Sequence, residues 1–232
     1  MNTAYSDKKT SSSKIVMAVW RTTLALGTLL SASSASAEVE LSFYGGLQTA
    51  LPSDVTISDD DVIPDTDINI AWEGRSLEPP PYYGLRVTSW ESGSFGYGLD
   101  FTHAKVYPQD GELPDDFNRI EFTDGLNTLT VNAYYRWQDV SPRFTPYVGG
   151  GLGLSVPHVE VTTSDSRTLG YQFTGPAATV IAGASVPIND SWSVFGEYKG
   201  TFTSNEGDLD TGGTVDTDIV TNAVNVGVTF NF

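Results

Sequence analysis

The sequence predicts an all-β protein, an eight-stranded antiparallel transmembrane up-and-down β-barrel. Three observations lead to this prediction. Apolar and polar residues alternate in segments of about ten residues, which is typical of membrane β-strands. After residue 37, no apolar run approaches the roughly 18 residues that a transmembrane helix needs. The final alternating segment ends the chain on an aromatic residue, and its apolar face consists of Val224, Val226, Val228, Phe230 and Phe232.

Residues 1–37 have the features of a secretory signal peptide. A basic region leads into an apolar stretch from Thr22 to Leu30, and Ala35-Ser36-Ala37 supplies the small residues of a cleavage site. The alternative is a membrane anchor, but Ile15–Leu30 has only 16 residues and contains Arg21, which is too short for a span. We therefore expect export with cleavage after Ala37, which leaves 8 basic and 28 acidic residues in the mature chain.

The rest of the chain divides into eight alternating segments and their connections. We predict strands near 38–49, 82–91, 95–107, 124–137, 144–157, 169–187, 192–203 and 218–232. The connections alternate in length, with short turns at 92–94, 138–143 and 188–191 and long loops at 50–81, 108–123, 158–168 and 204–217. In bacterial barrels short turns face the periplasm and long loops face outside. We therefore predict one barrel domain, 38–232, in the outer membrane, with both termini in the periplasm.

Residue parity separates two faces of the predicted wall. The lipid-facing set is apolar: Leu41, Phe43, Leu85, Val87, Leu99, Phe101, Leu129, Val131, Tyr135, Trp137, Leu152 and Leu154. Aromatic residues cluster near the short turns, where amphipathic rings suit a membrane interface: Trp90, Tyr97, Tyr135, Trp137 and Trp192. The lumen-facing set carries three acids and three bases: Glu40, Asp100, Glu197, Arg86, Arg136 and Lys199. Eight strands leave room only for side chains, and unpaired buried charges are costly, so we predict a salt-bridged plug rather than an ion path.

Composition excludes several classes of function. The formal net charge of -17 argues against a nucleic-acid partner, which needs a basic patch. The absence of cysteine excludes a disulfide scaffold, a thiolate nucleophile and an iron–sulfur cluster. No dinucleotide fingerprint, P-loop or G-x-S-x-G elbow is present, so we expect no organic cofactor. A soluble periplasmic β-sandwich also alternates, but it does not account for the terminal Phe232 or the interface aromatics.

The candidate chemistry lies at the predicted outer ends of the strands. Parity from Leu99 and Phe101 aims His103 and Lys105 at lipid, so either a bulge near Thr102 re-aims them or they lie at the headgroup level. The 32-residue loop 50–81 is too long for a mere connection, and we expect its apolar insert to pack over the barrel mouth. The long loops also carry many carboxylates, which either bind hard cations or simply remain solvated.

Several segments together resemble the lipid A oxidase family. They are residues 41–46 (LSFYGG), 72–74 (WEG), 81–86 (PYYGLR), 100–107 (DFTHAKVY), 122–127 (FTDGLN) and 195–201 (FGEYKGT). The resemblance implies an outer-membrane enzyme that uses molecular oxygen to convert the proximal glucosamine of lipid A to 2-aminogluconate. The partners it implies are lipid A or lipopolysaccharide and outer-membrane lipid. The C-terminal Phe232 resembles the signal that the barrel-assembly machinery reads in outer-membrane barrels.

The residue types themselves indicate roles for the candidate site residues. His103 is the first candidate for a general base, because a neutral imidazole accepts a proton near pH 7. Lys105 is a candidate to bind a lipid A phosphate or to stabilise an oxyanion, and Glu73 and Asp124 are further catalytic candidates. Because no organic cofactor is expected, the simplest electron path is a divalent metal ion held by His103, His158 and loop carboxylates such as Glu160. The alternative is a non-catalytic OmpA-like barrel with a structural, adhesion or envelope-stability role, since fold alone does not give function.

Overall fold

The computed structural model describes residues 38–59, 63, 65–91 and 93–232. The predicted signal peptide, residues 1–37, lies outside the described residues. Within the described ranges no helix is long and apolar enough to cross a membrane. The strands there are β1 (Glu38–Ala50), β2 (Ser53–Ser58), β3 (Thr66–Ile70), β4 (Trp72–Glu73), β5 (Tyr83–Trp90), β6 (Phe95–Pro108), β7 (Phe117–Arg136), β8 (Thr145–Thr163), β9 (Arg167–Tyr171), β10 (Gly175–Pro187), β11 (Trp192–Asp208) and β12 (Thr214–Asn231).

Eight of these strands form a closed antiparallel ring. The order around the ring is β1, β5, β6, β7, β8, β10, β11 and β12, and β12 pairs with β1 to close it. In the closing register Glu40 lies opposite Asn231 and Phe43 lies opposite Val228. Closure removes the free edges that would otherwise leave backbone groups unsatisfied in hydrocarbon. The predicted eight-stranded barrel is confirmed.

The sixth predicted strand, 169–187, is two strands in the structure. β9 pairs only with β8, whereas β10 is a wall strand between β8 and β11. The chain leaves β9 and rejoins the barrel wall at Gly175. The backbone φ of this residue, +155°, favours glycine. Alternation continues through the break, so the period-two pattern alone did not reveal it. The strands β7, β8, β11 and β12 are also longer than predicted, since each extends beyond the wall at the end that carries the long loops, which we call the long-loop end.

The long connection 50–81 contains three short strands. β2 and β3 form a hairpin whose first strand pairs with the extension of β12, and β4 pairs with the end of β6. This hairpin buries Val55, Ile57 and Ile70, and the ring of Trp72 lies 6.4 Å from the ring of Phe122. The loop is therefore a packed structure at the long-loop end, as the apolar insert indicated.

The wall shows the predicted parity. The lipid-facing residues are exposed, except that Phe101 and Tyr135 are half-buried: Leu41, Phe43, Leu85, Val87, Leu99, Leu129, Val131, Trp137, Leu152 and Leu154. At the opposite end of the ring, which we call the short-turn end, Tyr135 contacts both Phe95 and Trp137. The prediction for Trp90 is wrong. Its ring shares the lumen-facing parity of Arg86 and Thr88, and it is buried against the guanidinium of Arg136, 4.1 Å from the ring centre.

The lumen is closed by paired charges. Arg86 donates to Asp100 at 2.7 Å and makes two bonds to Glu197 at 2.8 and 2.7 Å. Lys199 donates to Asp100 at 2.6 Å and to the hydroxyl of Tyr44 at 2.9 Å. All four charged side chains are at most 5% exposed. The predicted salt-bridged plug is confirmed for these residues.

The predicted six-residue network divides into two groups. Arg136 lies nearer the short turns, where it donates to Glu38 at 2.5 Å, to Glu40 at 3.3 Å and to the carbonyl of Gly93 at 2.5 Å. Glu38 shares the parity of Glu40 in β1, but it was not among the six predicted lumen residues. A cavity of about 150 Å³ separates this group from the bridge of Arg86.

Candidate functional site

His103 and Lys105 keep the lipid-facing parity of β6, yet both are buried. Leu99 is 52% exposed, whereas His103 is 5% and Lys105 is 1% exposed. We predicted either a bulge near Thr102 or a position at the headgroup level. The structure has no register shift near Thr102 in the described pairing, and the irregularity lies between Ala104 and Val106 against β7. The two side chains therefore still point outward, and neighbouring chain segments cover them.

The first cover is a bulge in β7. Between the pairs Ala104–Leu126 and Val106–Phe122, β6 advances two residues while β7 advances four. The same segment also carries two extra residues relative to β8. Gly125 has a φ of +123°, and a Cβ atom there would lie 2.5 Å from Nδ1 and Cε1 of His103. Glycine is therefore required for the bulge to lie against the imidazole.

The imidazole of His103 has one hydrogen-bond partner and one bare nitrogen. Its Nδ1 lies 2.8 Å from Oδ1 of Asn127, the residue directly opposite it on β7. Its ring stacks on Tyr83, the opposite residue on β5, with 5.2 Å between ring centres. Its Nε2 is buried and has no hydrogen-bond partner among the residues that the structure describes. Because a buried unsatisfied polar atom costs free energy, such an atom calls for an explanation.

The second cover is the segment 74–82, which leads from β4 into β5. The ammonium of Lys105 donates to the carbonyl oxygen of Glu78 at 2.8 Å, and it lies 5.4 Å from the ring centre of Tyr107. The guanidinium of Arg75 lies 4.4 Å from the centre of the same ring. Two cations and one aromatic ring thus converge on the outer wall at Tyr107, four residues along β6 from His103. This part of the wall, formed by His103, Lys105, Tyr83, Gly125 and Asn127, is called the wall niche below.

Glu73 belongs to the rim of the wall niche. It pairs across the sheet with Tyr107, and its carboxylate accepts two bonds from Arg75, at 2.5 and 2.6 Å. Arg75 has a φ of +39°, which is uncommon for a residue with a side chain. The bond to Glu73 is the main cause that raises the pKa of Arg75 above its ordinary value. Glu73 therefore orients Arg75. The side chain of Asp124, another predicted catalytic residue, lies outside the described residues.

His158 and Glu160 form a separate group on β8. The ring of His158 contacts the edge of Tyr171 at 4.8 Å between centres, and Glu160 accepts a bond of 3.0 Å from Arg167. Burial is the main cause that raises the pKa of the neighbouring Glu121, Arg119 opposes the shift, and Glu160 adds to it. These contacts occupy the carboxylate of Glu160 with guanidinium groups.

The metal site expected from His158 and Glu160 does not fit this geometry. Asn127 of β7 pairs with His103 of β6 on one side and with Val156 of β8 on the other. His158 is therefore two strands away from His103 across the sheet and two residues further along β8. That offset is about 10 Å across the sheet and about 7 Å along it, whereas metal–nitrogen bonds are about 2 Å long. In the described ranges, no group of three or more His, Asp or Glu side chains can hold a metal ion.

Comparison with known families decides the classification of the chain. The family model of the outer membrane protein β-barrel domain matches residues 22–232, which is most of the sequence. The protein belongs to the outer membrane protein β-barrel domain family. No curated protein sequence matches it significantly.

Solved structures of outer-membrane proteins match this chain at low sequence identity. OprG of Pseudomonas aeruginosa is 13% identical, with 85% of this chain and 96% of that chain covered and a TM-score of 0.50. The neisserial surface protein A is 15% identical, with 85% and 100% covered and a TM-score of 0.46. The N-terminal barrel of OprF of Pseudomonas aeruginosa is 14% identical, with 85% and 100% covered and a TM-score of 0.44.

Within this outer-membrane barrel, the structure brings together some predicted site residues and separates others. His103, Lys105 and, at the rim, Glu73 share one side of the wall, while His158 and Glu160 do not join them. Sequence reasoning missed Asn127, Gly125 and Tyr83. A signal for Gly125 was available, because an isolated glycine in a strand pattern often marks a bulge. No local signal identified Asn127, whose role depends on strand register.

Proposed function

We propose that the protein is an outer-membrane enzyme that oxidises the proximal glucosamine of lipid A to 2-aminogluconate with molecular oxygen. The observation that supports this proposal most is the wall niche. An imidazole with a bare nitrogen lies on the lipid-facing side of the wall, at the end where the long loops lie. In bacterial barrels this end borders the outer leaflet, which is where a lipid A headgroup resides.

In the proposed oxidation the sugar loses two hydrogens and two electrons, and dioxygen accepts them. The hemiacetal C1–H and O–H bonds of the sugar break, the C1–O bond becomes a carbonyl, and dioxygen takes two electrons and two hydrogens to give hydrogen peroxide. Water then opens the resulting lactone to the aminogluconate. In this proposal Nε2 of His103 accepts the hydroxyl proton, since a neutral imidazole is a competent base near neutral pH.

The cations beside His103 suit an anionic headgroup. Arg75 is about one-third exposed and presents its guanidinium above Tyr107, so it can contact a phosphate at the surface. Lys105 is covered by segment 74–82 through its bond to the carbonyl of Glu78. Entry of a headgroup therefore requires this segment to move away from the wall, which would exchange that bond for a contact with substrate.

A second candidate is a non-catalytic barrel with a structural, adhesion or envelope-stability role. The burial of both His103 and Lys105 favours it, because the β7 bulge lies against His103 and segment 74–82 covers Lys105. In that case the stacking on Tyr83 and the bond to Asn127 only fill space at the wall.

One assay separates the two candidates. Purified barrel is incubated with lipid A that has a free C1 hydroxyl, in air and under argon. The oxidase proposal requires aminogluconate and peroxide in air only, with loss of both in His103→Ala and normal turnover in Asn69→Ala, a control at an exposed side-chain bond to Asp54. Absence of product from the wild type would leave the non-catalytic barrel. Equal turnover in His103→Ala would remove His103 from the mechanism.

A further inference from the structure

We infer that Asn127 and Gly125 are positioning residues that fix the tautomer of His103 and so leave its Nε2 as the base. This inference rests on the proposed function, because it assigns a purpose to the same wall niche. The sequence analysis gave neither residue a role, although both lie in segment 122–127 of the family resemblance. Asn127 and Gly125 each lie against the imidazole of His103, and its Nε2 has no partner in the described structure.

The contact with Asn127 sets the tautomer. An amide oxygen only accepts hydrogen bonds, so the 2.8 Å contact between its Oδ1 and Nδ1 of His103 places the proton on Nδ1. A neutral imidazole carries one proton, so Nε2 then holds a lone pair. That atom is buried and has no partner in the described structure. The group that binds there must donate a hydrogen bond, and a sugar hydroxyl has the required chemistry.

Gly125 leaves the space in which His103 and Asn127 make their contact. A Cβ atom at this position would lie 2.5 Å from Nδ1 of His103 and 2.6 Å from Oδ1 of Asn127. Any side chain would therefore separate the two atoms whose contact fixes the proton. The positive φ of the residue adds a backbone reason for glycine at the same position. Tyr83 holds the other face of the ring by stacking, so rotation of the imidazole is restricted from both sides.

The arrangement carries a free-energy cost that a structural histidine would avoid. A tautomer with its proton on Nε2 would leave the amide free to turn and donate to Nδ1, and an apolar side chain would remove the bare nitrogen altogether. Keeping an unsatisfied acceptor inside the wall lowers the free energy of unfolding. Such costs are concentrated at functional sites, where a group is held ready for a ligand.

The tautomer is measured directly by ¹⁵N NMR of histidine-labelled mature barrel in detergent. The sequence contains only two histidines, and His158→Gln assigns their signals. We expect a protonated-type shift at Nδ1 of His103 and an unprotonated-type shift at Nε2. Asn127→Leu should give a mixture of tautomers, while the control Asn69→Leu should leave the wild-type pattern. A proton on Nε2 in the wild type, or an unchanged pattern in Asn127→Leu, overturns the inference.

Turnover of lipid A supplies the second readout. We expect kcat to fall at least about tenfold in Asn127→Leu with little change in KM, because the base is misplaced while the headgroup contacts remain. Asn127→Asp is nearly isosteric and guards against misfolding. Its carboxylate favours the imidazolium, so the acid limb of the pH–rate profile should move to higher pH. An unmoved profile contradicts the positioning role. If the wild type shows the tautomer but no turnover, the proposed function fails instead.

Discussion

The lumen and the wall niche differ in how they bury side chains that can carry charge. In the lumen, each charged side chain has oppositely charged partners, as in the bonds from Arg86 to Asp100 and Glu197. In the wall niche, the imidazole of His103 is equally buried, but one of its two nitrogens has no partner. The ion pairs of the lumen are needed for stability, because an unpaired charge inside a narrow barrel is costly. The unpaired Nε2 of His103 in the wall niche is not needed for stability, because an unsatisfied acceptor costs free energy.

This difference separates a structural cluster from a candidate site. Buried charge pairs are weak evidence for function, because the interior of an eight-stranded barrel must be filled and neutralised in any case. The bare Nε2 of His103 has no such general explanation, because filling and neutralising the interior does not account for an unpaired nitrogen on the outer side of the wall. The predictions below test whether the two regions really differ in this way.

The largest effect is expected in the lumen. Arg86→Ala leaves the carboxylates of Asp100 and Glu197 without their shared partner, so we expect a loss of about 3–5 kcal/mol in the free energy of unfolding. Arg136→Ala should cost only about 1–2 kcal/mol, because Glu38 is 42% exposed and water can take the place of the guanidinium. Urea unfolding in lipid vesicles, followed by tryptophan fluorescence, measures both. Equal losses would show that the two charge groups are equally buried.

The next effect is expected at the β7 bulge. Gly125→Ala places a methyl group against His103 at a positive φ, so we expect a loss of about 1–3 kcal/mol in unfolding free energy. The matched control is Gly170→Ala, because no heavy atom lies within 4 Å of a Cβ at that position. The same urea titration compares the two variants. A neutral Gly125→Ala would mean that the bulge does not press on the imidazole.

A smaller effect is expected for the imidazole itself. His103→Phe keeps a ring that can stack on Tyr83 and removes the bare Nε2, although it also removes the bond to Asn127. The two changes oppose each other, so we expect the unfolding free energy to stay within about 1 kcal/mol of wild type while turnover of lipid A is lost. A loss as large as that of Arg86→Ala would make His103 a structural residue of the wall and erase the contrast with the lumen.

The smallest effect concerns Glu121 beyond the bulge. Burial raises its pKa in the folded state, so its contribution to stability is present at low pH and is lost as pH rises through that raised pKa. Glu121→Gln should remove this dependence, with a change of about 0.5 kcal/mol or less because solvent and Arg119 screen the group. The measurement is the urea midpoint at several pH values on the acid side of neutrality. A wild-type urea midpoint that falls as pH falls would contradict the predicted direction of the Glu121 contribution.

The contrast also explains how far the sequence could predict the molecule. Parity is a local property, so alternation alone identified the wall strands and the inward charges such as Asp100 and Lys199. At the long-loop end, chain segments from the long loops cover the wall from outside. Residues 102–106 are therefore buried or nearly so on both faces, and parity no longer separates them. The partners of His103 come from register and from the β7 bulge, which are set by pairing between distant segments.

The closing register of the ring has a consequence for assembly. The hydroxyls of Ser42 and Thr229 meet across β1 and β12 although they are 187 positions apart in the chain. Until the last strand arrives, β1 and β11 both present open edges, and an unfinished chain is an open sheet rather than a smaller barrel. Closure of so long a loop is slow, and it contributes nothing until the final strand is in place. Maturation therefore ends in a single late event, and a chain that stops short of β12 gains none of the stability of the finished ring.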